Sequence, residues 1–412
     1  MYADHDIRIT PAQTELKARV HGFARDLLRP AAAALDPLDP VAVMAPDSAL
    51  WTTLKAAYGA GLHTALVPIA QGGLGLEGLD LAIALEELGW GSADFAVSLA
   101  VTGFPAFLGA RLGNPAVAEA FVRPFVADRE ARVVGCWAIT EPDHGSDHFL
   151  MNDRQFHDPA IRAGVTARAD GDYWLLNGAK ARWVSNGGIA THAAVYLATE
   201  PARGLAGGGI ALVPLDLPGV SRTPPLDKLG QRALIQGGFT FTNVRIPRDY
   251  LLAGADAYPV LLDQTLSLTN AAMGSIFTGV AQAALEAAMA WTRERVQGGK
   301  RLCEHQLVQK RLFDMYTRVA SCRTLSRAAF TWNAGREVPA TELATAAKVH
   351  CTQAAYEVCD SAVQLLGGTG MVKGELVEKL YRDARAALTE DGSNDVLALS
   401  GAQLLMSRLE QE

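Results

Sequence analysis

Two polar segments of the chain carry the side chains with the clearest chemical potential. The motif TEPDHGSD at residues 140–147 follows an apolar run and combines hydroxyl groups with the backbone amides of a tight turn, which can hydrogen-bond a ligand. The motif EDGSN at residues 390–394 places two carboxylates side by side, and a carboxylate can act as a general base. A solvated acidic turn is the ordinary alternative for Glu390 and Asp391, and the residues alone leave both interpretations open.

Other polar side chains accompany these motifs in a fixed order along the chain. A lone tryptophan usually packs a strand and a lone arginine usually covers a solvated helix face, so none is informative by itself. Arg295 gains weight because it and Gln306 bracket a Gly298-Gly299-Lys300 turn. The set comprises Trp183, Ser185, Arg295, Gln306, Gln364 and Gly368.

A glycine-rich segment, GLGLEG at residues 73–78, matches the pattern GxGxxG. A Rossmann dinucleotide site would need a strand before this segment and a second parallel strand after the following helix. The apolar stretch Phe95–Ala110 has instead the character of another helix. We therefore interpret residues 73–78 as a connection between helices.

Helical and strand periodicities divide the chain into three zones that must position these residues. From about Thr10 to Val126 the pattern is helical, with Leu81, Leu85 and Leu88 on one face and Gly89 as a plausible stop. From about Tyr258 onwards it is helical again, and an Ala-rich helix over Ala340–Leu366 is predicted to end at Gly367-Gly368. The uncharged stretch Gln264–Leu285 carries many polar residues, which favours a buried helix over a membrane span.

The zone between the helices, from about Ala131 to Pro247, has short apolar runs separated by Gly, Asn, Asp and Pro. This pattern predicts a small antiparallel β domain, and Asn177-Gly178 is a hairpin-turn signal. The predicted strands are Arg132–Ile139, Tyr173–Asn177, Ala193–Ala198, Gly209–Pro214 and a run containing Phe239, Phe241 and Val244. The fold class is therefore α+β, with a helical domain at 1–130, a β domain at 131–248 and a helical bundle at 249–412.

Composition excludes several classes of protein. The chain has 412 residues, a formal net charge of −7 and 49% apolar residues, which is globular and lacks the clustered basic face of a nucleic-acid binder. The N-terminal residues lack the pattern of a secretory signal, and we expect no membrane association. Five cysteines without a CxxC pair suit free thiols in a reducing cytoplasm, and we expect no metal site.

The ordered set of motifs resembles the acyl-CoA dehydrogenase family of flavoproteins over nearly the whole chain. Residues 67–76 are similar to that family's PxxxGGLGL segment, and TEPxxGSD is the most specific single motif. The resemblance implies an α-helical domain, a β domain and a C-terminal four-helix bundle, which is the layout that periodicity predicts independently. It also implies FAD held without a Rossmann fold and a homotetramer, with a dimer as the alternative.

The resemblance further implies a role for each singled-out residue. Those that line the flavin or the thioester end of a substrate are Trp137, Ile139, Thr140 and Ser146, with Trp183 and Ser185 against the flavin ring. Arg295 and Gln306 are implied to reach the FAD of a neighbouring subunit, Gln364 and Gly368 to lie near its adenine end, and Ser393 to bond the cofactor. A flavin needs such ring hydrogen bonds and pyrophosphate donors.

Four departures from the family pattern bear on the substrate. The family's catalytic Glu falls on Asp391, which is one methylene shorter, and Glu390 falls where an aromatic residue is usual. We predict Asp391 as the base, with Glu390 as the alternative. Asn270 falls where an Arg often assists substrate binding, Gly298 replaces a Phe, and residues 148–164 lengthen a connection that either caps the active site or, by slight preference, forms a surface loop.

The function that the resemblance implies is α,β-dehydrogenation of an acyl-CoA thioester. A carboxylate removes the α-proton, a hydride passes to flavin N5, and an electron-transfer flavoprotein or another acceptor reoxidises the flavin. Ser146 and Asn270 are candidates for contact with the substrate. The alternatives are a flavin oxidase or monooxygenase similar to nitroalkane oxidases, a dehydrogenase of carrier-protein-bound acyl groups, and a catalytically idle flavin-binding subunit.

Overall fold

The computed structural model describes Asp6 and residues 9–409, with side chains as far as residue 407. The N-terminal residues considered for a secretory signal lie partly outside the described range. So do the first residues of the predicted domain 1–130 and the last residues of the predicted domain 249–412. The helices are α1 (Pro11–Phe23), α2 (Arg29–Leu35), α3 (Pro40–Val43), α4 (Ala49–Gly59), α5 (Gly78–Gly91), α6 (Ala93–Thr102), α7 (Phe104–Leu112), α8 (Pro115–Val117), α9 (Arg123–Ala127), α10 (Tyr258–Glu294), α11 (Gln306–Asn333), α12 (Thr341–Leu366), α13 (Leu376–Ala387) and α14 (Asn394–Leu409). The strands are β1 (Gly135–Ala138), β2 (Thr166–Asp170), β3 (Tyr173–Lys180), β4 (His192–Ala198), β5 (Gly208–Pro214), β6 (Val220–Arg222), β7 (Phe239–Pro247), β8 (Leu251–Ala253), β9 (Val296–Gln297) and β10 (Lys300–Arg301).

The N-terminal helices have clear local signals. Thr10 and Gln13 form a reciprocal capping box at the start of α1, where Pro11 occupies the first turn. The predicted stop at Gly89 is wrong, because α5 continues to Gly91. Gly89 is needed there for a different reason: a Cβ at this position would lie 2.0 Å from the carbonyl oxygen of Ile276 on α10.

The central sheet has eight strands, and most of its pairs are antiparallel. Its main order is β6-β7-β3-β2-β4-β5-β8, with β1 beside β4. The sheet is nevertheless mixed, since β1 and β2 each pair in parallel with β4. Both faces of β4 are buried: Ala194 and Tyr196 join one apolar cluster, whereas Ala193 and Val195 join another.

The predicted hairpin turn at Asn177-Gly178 is wrong. Both residues lie inside β3, where a bulge between Leu176 and Gly178 interrupts the pairing with β7. The hairpin turn is Gly171-Asp172, which joins β2 to β3 through the paired residues Asp170 and Tyr173. Gly171 has a φ of 59°, in the left-handed region that such turns require.

The C-terminal helices form a bundle around α10, which packs against α5, α11, α12 and α13. The predicted Ala-rich helix is confirmed as α12, and Gly367 follows its end with a φ of 61°. Leucine and alanine side chains of α5 and α10 belong to one apolar core. The N-terminal helices and the bundle therefore share a core, and the sheet packs beside it.

Two helical segments bear on the question of a membrane span. Residues 264–285 lie within α10 and are mostly buried, as predicted. The helical stretch Ala93–Leu112 is long and apolar enough to cross a membrane by length and composition, and 67% of its most apolar window is buried inside the protein. Burial of this kind is usual for a core helix of a globular protein.

All five cysteines are free.

Candidate active site

A cavity of about 770 Å³ lies where the sheet meets the end of α13. This volume is within the range of about 300–1,000 Å³ that is usual for ligand sites. Both sequence motifs reach the cavity, although they are about 250 residues apart in the chain. It brings together the predicted residues Trp137, Ile139, Thr140, Ser146, Trp183, Ser185, Glu390 and Asp391.

The TEPDHGSD turn is held rigidly by its own carboxylates. Glu141 is buried and accepts hydrogen bonds from Lys180 Nζ (2.7 Å) and the Val165 amide (3.0 Å). Burial alone would raise the pKa of Glu141, but the Lys180 ammonium and the amide donors outweigh it and lower that pKa. Asp147 accepts from the Gly145 amide at 2.6 Å. Thr140 and Ser146 are thereby presented to the cavity from a fixed loop.

The two motifs touch directly. The Ser393 amide donates a hydrogen bond of 2.8 Å to Ser146 Oγ. Ser393 itself does not line the cavity, so within this chain it positions Ser146 through its backbone. The contact joins the turn after β1 to the turn before α14.

The turn that carries the carboxylates has an unusual backbone. Asp391 and Gly392 have φ values of 49° and 98°, both in the left-handed region. Aspartate tolerates that region better than glutamate does. Lys348 on α12 stabilises the turn, because its ammonium donates to the Gly392 carbonyl (2.6 Å) and to Asn394 Oδ1 (2.7 Å).

Both carboxylates have raised pKa values. Burial raises the pKa of Asp391 to about 6, against an opposing effect of the Lys348 ammonium. Burial raises the pKa of Glu390 to about 7, although Lys228 and the Gln231 side-chain amide favour its ionised form. Two carboxylates with pKa values near neutrality in one cavity are suited to proton transfer at physiological pH.

A hydrogen bond from Gln231 fixes the orientation of the Glu390 side chain. The Gln231 side-chain amide donates to Glu390 Oε2, and the Gln231 backbone amide donates to Asp383 Oδ1 at 2.6 Å. Asp383 is buried on α13, where Lys379 pairs with it at 2.6 Å. Glu390 is thus engaged by a buried polar network beneath the cavity.

A second, smaller cavity of about 60 Å³ lies between α5, α6, α7 and α10. Its lining is almost entirely apolar, and Asp391 is the only carboxylate in that lining among the described residues. The residues common to the small and the large cavity are Val97, Val101, Trp137, Met273 and Asp391. Asp391 therefore lies at the junction of the two spaces, whereas Glu390 lines the large cavity alone.

A third cavity of about 510 Å³ adjoins the small one, with Leu66, Leu81 and Leu268 common to both. It is lined by the GLGL segment and by α7, α10 and the end of α11. Two cations, Arg111 and Arg336, border it. The small cavity therefore shares lining residues with both of the larger ones.

Five of the predicted site residues lie elsewhere. Asn270 is fully buried and donates to Thr345 Oγ1 at 3.2 Å, so it lines none of these cavities and is not placed to contact a substrate there. The other four are exposed on the chain's surface and are Arg295, Gln306, Gln364 and Gly368. Their exposure leaves them accessible to a neighbouring subunit, as the resemblance implies for Arg295 and Gln306.

The structure agrees only in part with the preference for a surface loop at residues 148–164, since residues 157–160 are exposed but other parts of the segment are buried. Phe149 and Phe156 are buried, and Phe149 lines the large cavity. Ser400 Oγ on α14 donates to the Phe149 carbonyl at 2.8 Å. The start of the segment, at Phe149, therefore forms part of the wall of the site.

Sequence reasoning missed Lys348, Gln231 and Lys228. Lys348 had a usable signal, since it interrupts a face of α12 otherwise made of buried Ala and Cys residues, among them Ala344, Ala347 and Cys351. Gln231 and Lys228 lie in a loop without a motif, so no local pattern identifies them.

The large cavity fits the FAD that the resemblance implies. The hydroxyls of Thr140, Ser146 and Ser185 would supply ring or phosphate contacts, and Trp183 would offer an aromatic face, since 60% of its surface is exposed. Lys228 and Arg385 line the same cavity and suit a pyrophosphate, whereas the Arg382 guanidinium is held by Asp36 and Glu378. The donor set therefore agrees with a flavin dinucleotide.

Comparison with known proteins identifies the family. Three family models match in chain order: the acyl-CoA dehydrogenase N-terminal domain at residues 10–129, the middle domain at 136–244 and the C-terminal domain at 260–406. The human mitochondrial short-chain specific acyl-CoA dehydrogenase is 34% identical over 84% of this chain and 80% of its own length. The cyclohex-1-ene-1-carbonyl-CoA dehydrogenase of Geobacter metallireducens is 31% identical over 84% of this chain and 87% of its own.

The fold agrees with these sequence matches. The structure of butyryl-CoA dehydrogenase from Megasphaera elsdenii superposes with a TM-score of 0.84 at 26% identity, covering 97% of this chain and 100% of that one. The predicted α+β architecture of helices, sheet and helices is confirmed. The chain belongs to the acyl-CoA dehydrogenase family of FAD-dependent oxidoreductases.

Proposed function

We propose that the protein binds FAD and removes hydrogen from the α and β carbons of a short acyl thioester, acyl-CoA in the first instance, with Asp391 as the base. The observation that carries this proposal is the position of Asp391 at the junction between the hydroxyl-lined cavity and the small apolar cavity. An acyl group held in the small cavity therefore lies beside this carboxylate and next to the cavity that fits a flavin.

Asp391 is matched to the abstraction of an α-proton. Its pKa of about 6 leaves it mostly ionised at pH 7 while keeping it more basic than an exposed aspartate. The Lys348 contacts fix the turn that presents it. The FAD, when bound, supplies the hydride acceptor.

The small cavity limits the acyl group. A cavity needs about 10–15 Å³ to hold one water molecule. The small cavity has about 60 Å³, measured in the same way, so it accepts roughly four to six water-sized groups. That favours a short or compact acyl chain. The relative named short-chain specific acyl-CoA dehydrogenase is consistent with this proposal.

The third cavity is a suitable place for the arm that carries the acyl group. It adjoins the acyl space and is bordered by Arg111 and Arg336, whose charges suit the phosphates of CoA or of a phosphopantetheinyl arm. CoA and a carrier protein share this chemistry, so the cavity supports a thioester with a phosphorylated arm in either form.

Reoxidation and assembly complete the proposal. An electron-transfer flavoprotein, or another acceptor, receives the electrons in the cytoplasm.

Val296, Leu307 and Phe313 are exposed by 59%, 82% and 67% beside Arg295 and Gln306. An apolar surface of this kind usually contacts another chain, which supports a homotetramer or dimer.

The test is anaerobic addition of acyl-CoA esters of different chain length to the purified flavoprotein, followed by its visible spectrum. Bleaching of the oxidised flavin by short esters, and loss of bleaching in Asp391→Asn, is the expected result. Rapid reaction of the reduced flavin with O₂ would instead favour an oxidase or monooxygenase. A flavin band that only carrier-bound thioesters bleach would assign the carrier-protein alternative.

A further inference from the structure

Two buried cysteines meet between α11 and α12 of the bundle. Cys322 on α11 and Cys351 on α12 are both 0% exposed, and they form a small cluster of their own with Ala354. The Cys351 thiol donates a hydrogen bond to the Cys322 carbonyl oxygen at 3.5 Å. The two side chains are therefore adjacent, although the residues are 29 positions apart in the chain. Neither cysteine lines any of the three cavities.

A histidine at the surface lies beside this pair. His350 on α12 forms a hydrogen bond with the Cys322 side chain. The Ser321 hydroxyl donates to the Arg318 carbonyl at 2.9 Å, so the Ser321 oxygen accepts the 3.1 Å bond from His350 Nε2. Ser321 and His350 are both exposed. The imidazole is thus held in place and connects the buried Cys322 to the surface.

These surroundings make the two thiols unequal. Hydrogen bonds from Cys351 and His350, together with the positive charge of His350, outweigh burial and lower the pKa of Cys322 to about 6. The hydrogen bond and charge of Cys322 in turn raise the pKa of His350, with a smaller contribution from Glu357. Burial raises the pKa of Cys351 well above its ordinary value. At neutral pH, Cys322 is therefore mostly a thiolate and Cys351 is a thiol.

We propose that Cys322 and Cys351 are an oxidation site that reacts with hydroperoxides and closes a reversible disulfide between α11 and α12. A thiolate near a positive charge, with a second cysteine in contact, has the properties of a redox-sensing site. Disulfides of proteins in a reducing compartment are usually transient and redox-sensing, which agrees with the free thiols of this chain. The inference does not depend on the proposed function.

The reaction balances in two steps. In the first, the Cys322 sulfur attacks the terminal oxygen of the hydroperoxide, an S–O bond forms, the O–O bond breaks, and the leaving alkoxide takes a proton from His350. In the second, the Cys351 sulfur attacks the Cys322 sulfenic acid, an S–S bond forms, and the hydroxyl group leaves with the Cys351 proton as water. The two thiols lose two electrons in total, and the hydroperoxide is reduced to an alcohol and water.

The test is treatment of the purified protein, freed of reductant, with a small excess of hydrogen peroxide at pH 7. After unreacted thiols are blocked with N-ethylmaleimide, we expect mass spectrometry of non-reduced peptides to find a Cys322–Cys351 cross-link. Two of the five thiols should be lost, and dithiothreitol should restore both. Cys303 should react more slowly, although it is the one cysteine that is not buried. Faster oxidation of Cys303, with Cys322 and Cys351 left as thiols, would overturn the inference.

Variants separate the roles of the three side chains. Cys351→Ser should accumulate a Cys322 sulfenic acid that dimedone traps, and Cys322→Ser should abolish both the cross-link and the trapping. His350→Gln should slow the loss of the two thiols severalfold, because the thiolate loses its cationic partner. Cys303→Ser is the matched control and should change neither the rate nor the cross-link.

Two results would contradict these roles. Dimedone trapping at Cys351 in Cys322→Ser, at the rate of the parent, would show that Cys322 is not the reactive thiol. An unchanged rate in His350→Gln would show that the imidazole does not activate it. Thermal unfolding shows whether each variant is folded, and the experiment on the parent protein decides on the cross-link without any variant.

Discussion

At the scale of single residues, the structure gives a physical reason for aspartate at the catalytic turn. Residue 391 has a left-handed backbone, which is more accessible to aspartate than to the longer glutamate. The neighbouring turn is held by Lys348, whose ammonium donates to the Gly392 carbonyl. Asp391 thereby lies at the junction of the two cavities, and Glu390 lies on one side of it.

This arrangement predicts unequal effects of replacing the two carboxylates. In the proposed function, Asp391→Asn removes the group that takes the α-proton. General bases typically contribute about 10²–10⁴-fold in rate, so we expect a loss of that size in kcat. Glu390→Gln should lower kcat less than about tenfold. Single-turnover reduction of the flavin in both variants is the measurement. Full activity in Asp391→Asn would show that the assignment of the base is wrong.

The pKa of Asp391 also predicts the pH dependence of the reaction. The base must be ionised to accept a proton, and its pKa is about 6 in the folded protein. We therefore expect kcat/KM to fall as the pH decreases through about 6, with the slope of a single ionisation. A profile that stays flat down to pH 4.5 would contradict the raised pKa.

Glu390 should influence stability more than chemistry. Its pKa is raised to about 7 in the folded state, above that of an unfolded-chain glutamate near about 4.3, so stability is lost as the pH rises between these values. Glu390→Gln keeps an acceptor for Gln231 and removes the charge. We expect the variant to be more thermostable than the parent at pH 8 and similar to it below pH 4.5, as measured by thermal unfolding. An equal difference at both pH values would contradict this.

At the scale of secondary-structure elements, α12 supports the turn between α13 and α14. Lys348 reaches from α12 to the Gly392 carbonyl and Asn394, and Thr352 donates to the same Asn394 oxygen at 3.2 Å. Burial lowers the pKa of Lys348 to about 8, although Asp391 and Glu390 favour its charged form. The helix thus supplies both the geometry of the turn and a positive charge near the base.

Lys348→Met tests this support. Removal of the cation should raise the pKa of Asp391 further, so the acidic limb of the pH profile should move to higher pH. Loss of the two turn contacts should also lower kcat and thermal stability. Lys310→Met is the matched control, because Lys310 is exposed on α11 and pairs only with Asp314 among the described residues. An unshifted profile in Lys348→Met would argue against electrostatic coupling to Asp391.

At the scale of the whole molecule, the sequence identifies the order of the domains and both motifs of the site, because these signals are local. Thr140, Ser146, Trp183, Ser185 and Asp391 are predicted and do share one cavity. The predicted hairpin turn at Asn177-Gly178 does not form, because the pairing of β3 with β2 and β7 outweighs the turn preference of two residues. Other features depend on distant parts of the chain and leave no local pattern. They are the parallel pairing of β4 with β1 and β2, the contact of Lys348 with the turn, and the burial of Asn270.

The close packing of α5 against α10 joins the N-terminal helices to the bundle and encloses the small cavity between them. Gly279 on α10 makes this approach possible, since a Cβ there would lie 1.9 Å from the Glu86 carbonyl oxygen on α5. The same turn of α5 carries the Glu86 carboxylate, which pairs with Arg323 on α11 at 2.7 Å. Separation of the two helices would therefore disturb the core, the ion pair and the cavity wall together.

Gly279→Ala should consequently destabilise the protein by more than about 2 kcal/mol, because the backbone of α5 must move to relieve the contact. Gly22→Ala is the matched control: Gly22 lies in α1 with nothing within 4 Å of a new Cβ, and alanine should stabilise that helix by about 0.5–1 kcal/mol. Denaturant unfolding of both variants measures these changes. Because the small cavity lies between the same helices, Gly279→Ala should also raise KM for the short thioester, whereas Gly22→Ala should not. Equal stability of the two variants would show that α5 and α10 can separate without consequence, and the cavity would then not be defined by their contact.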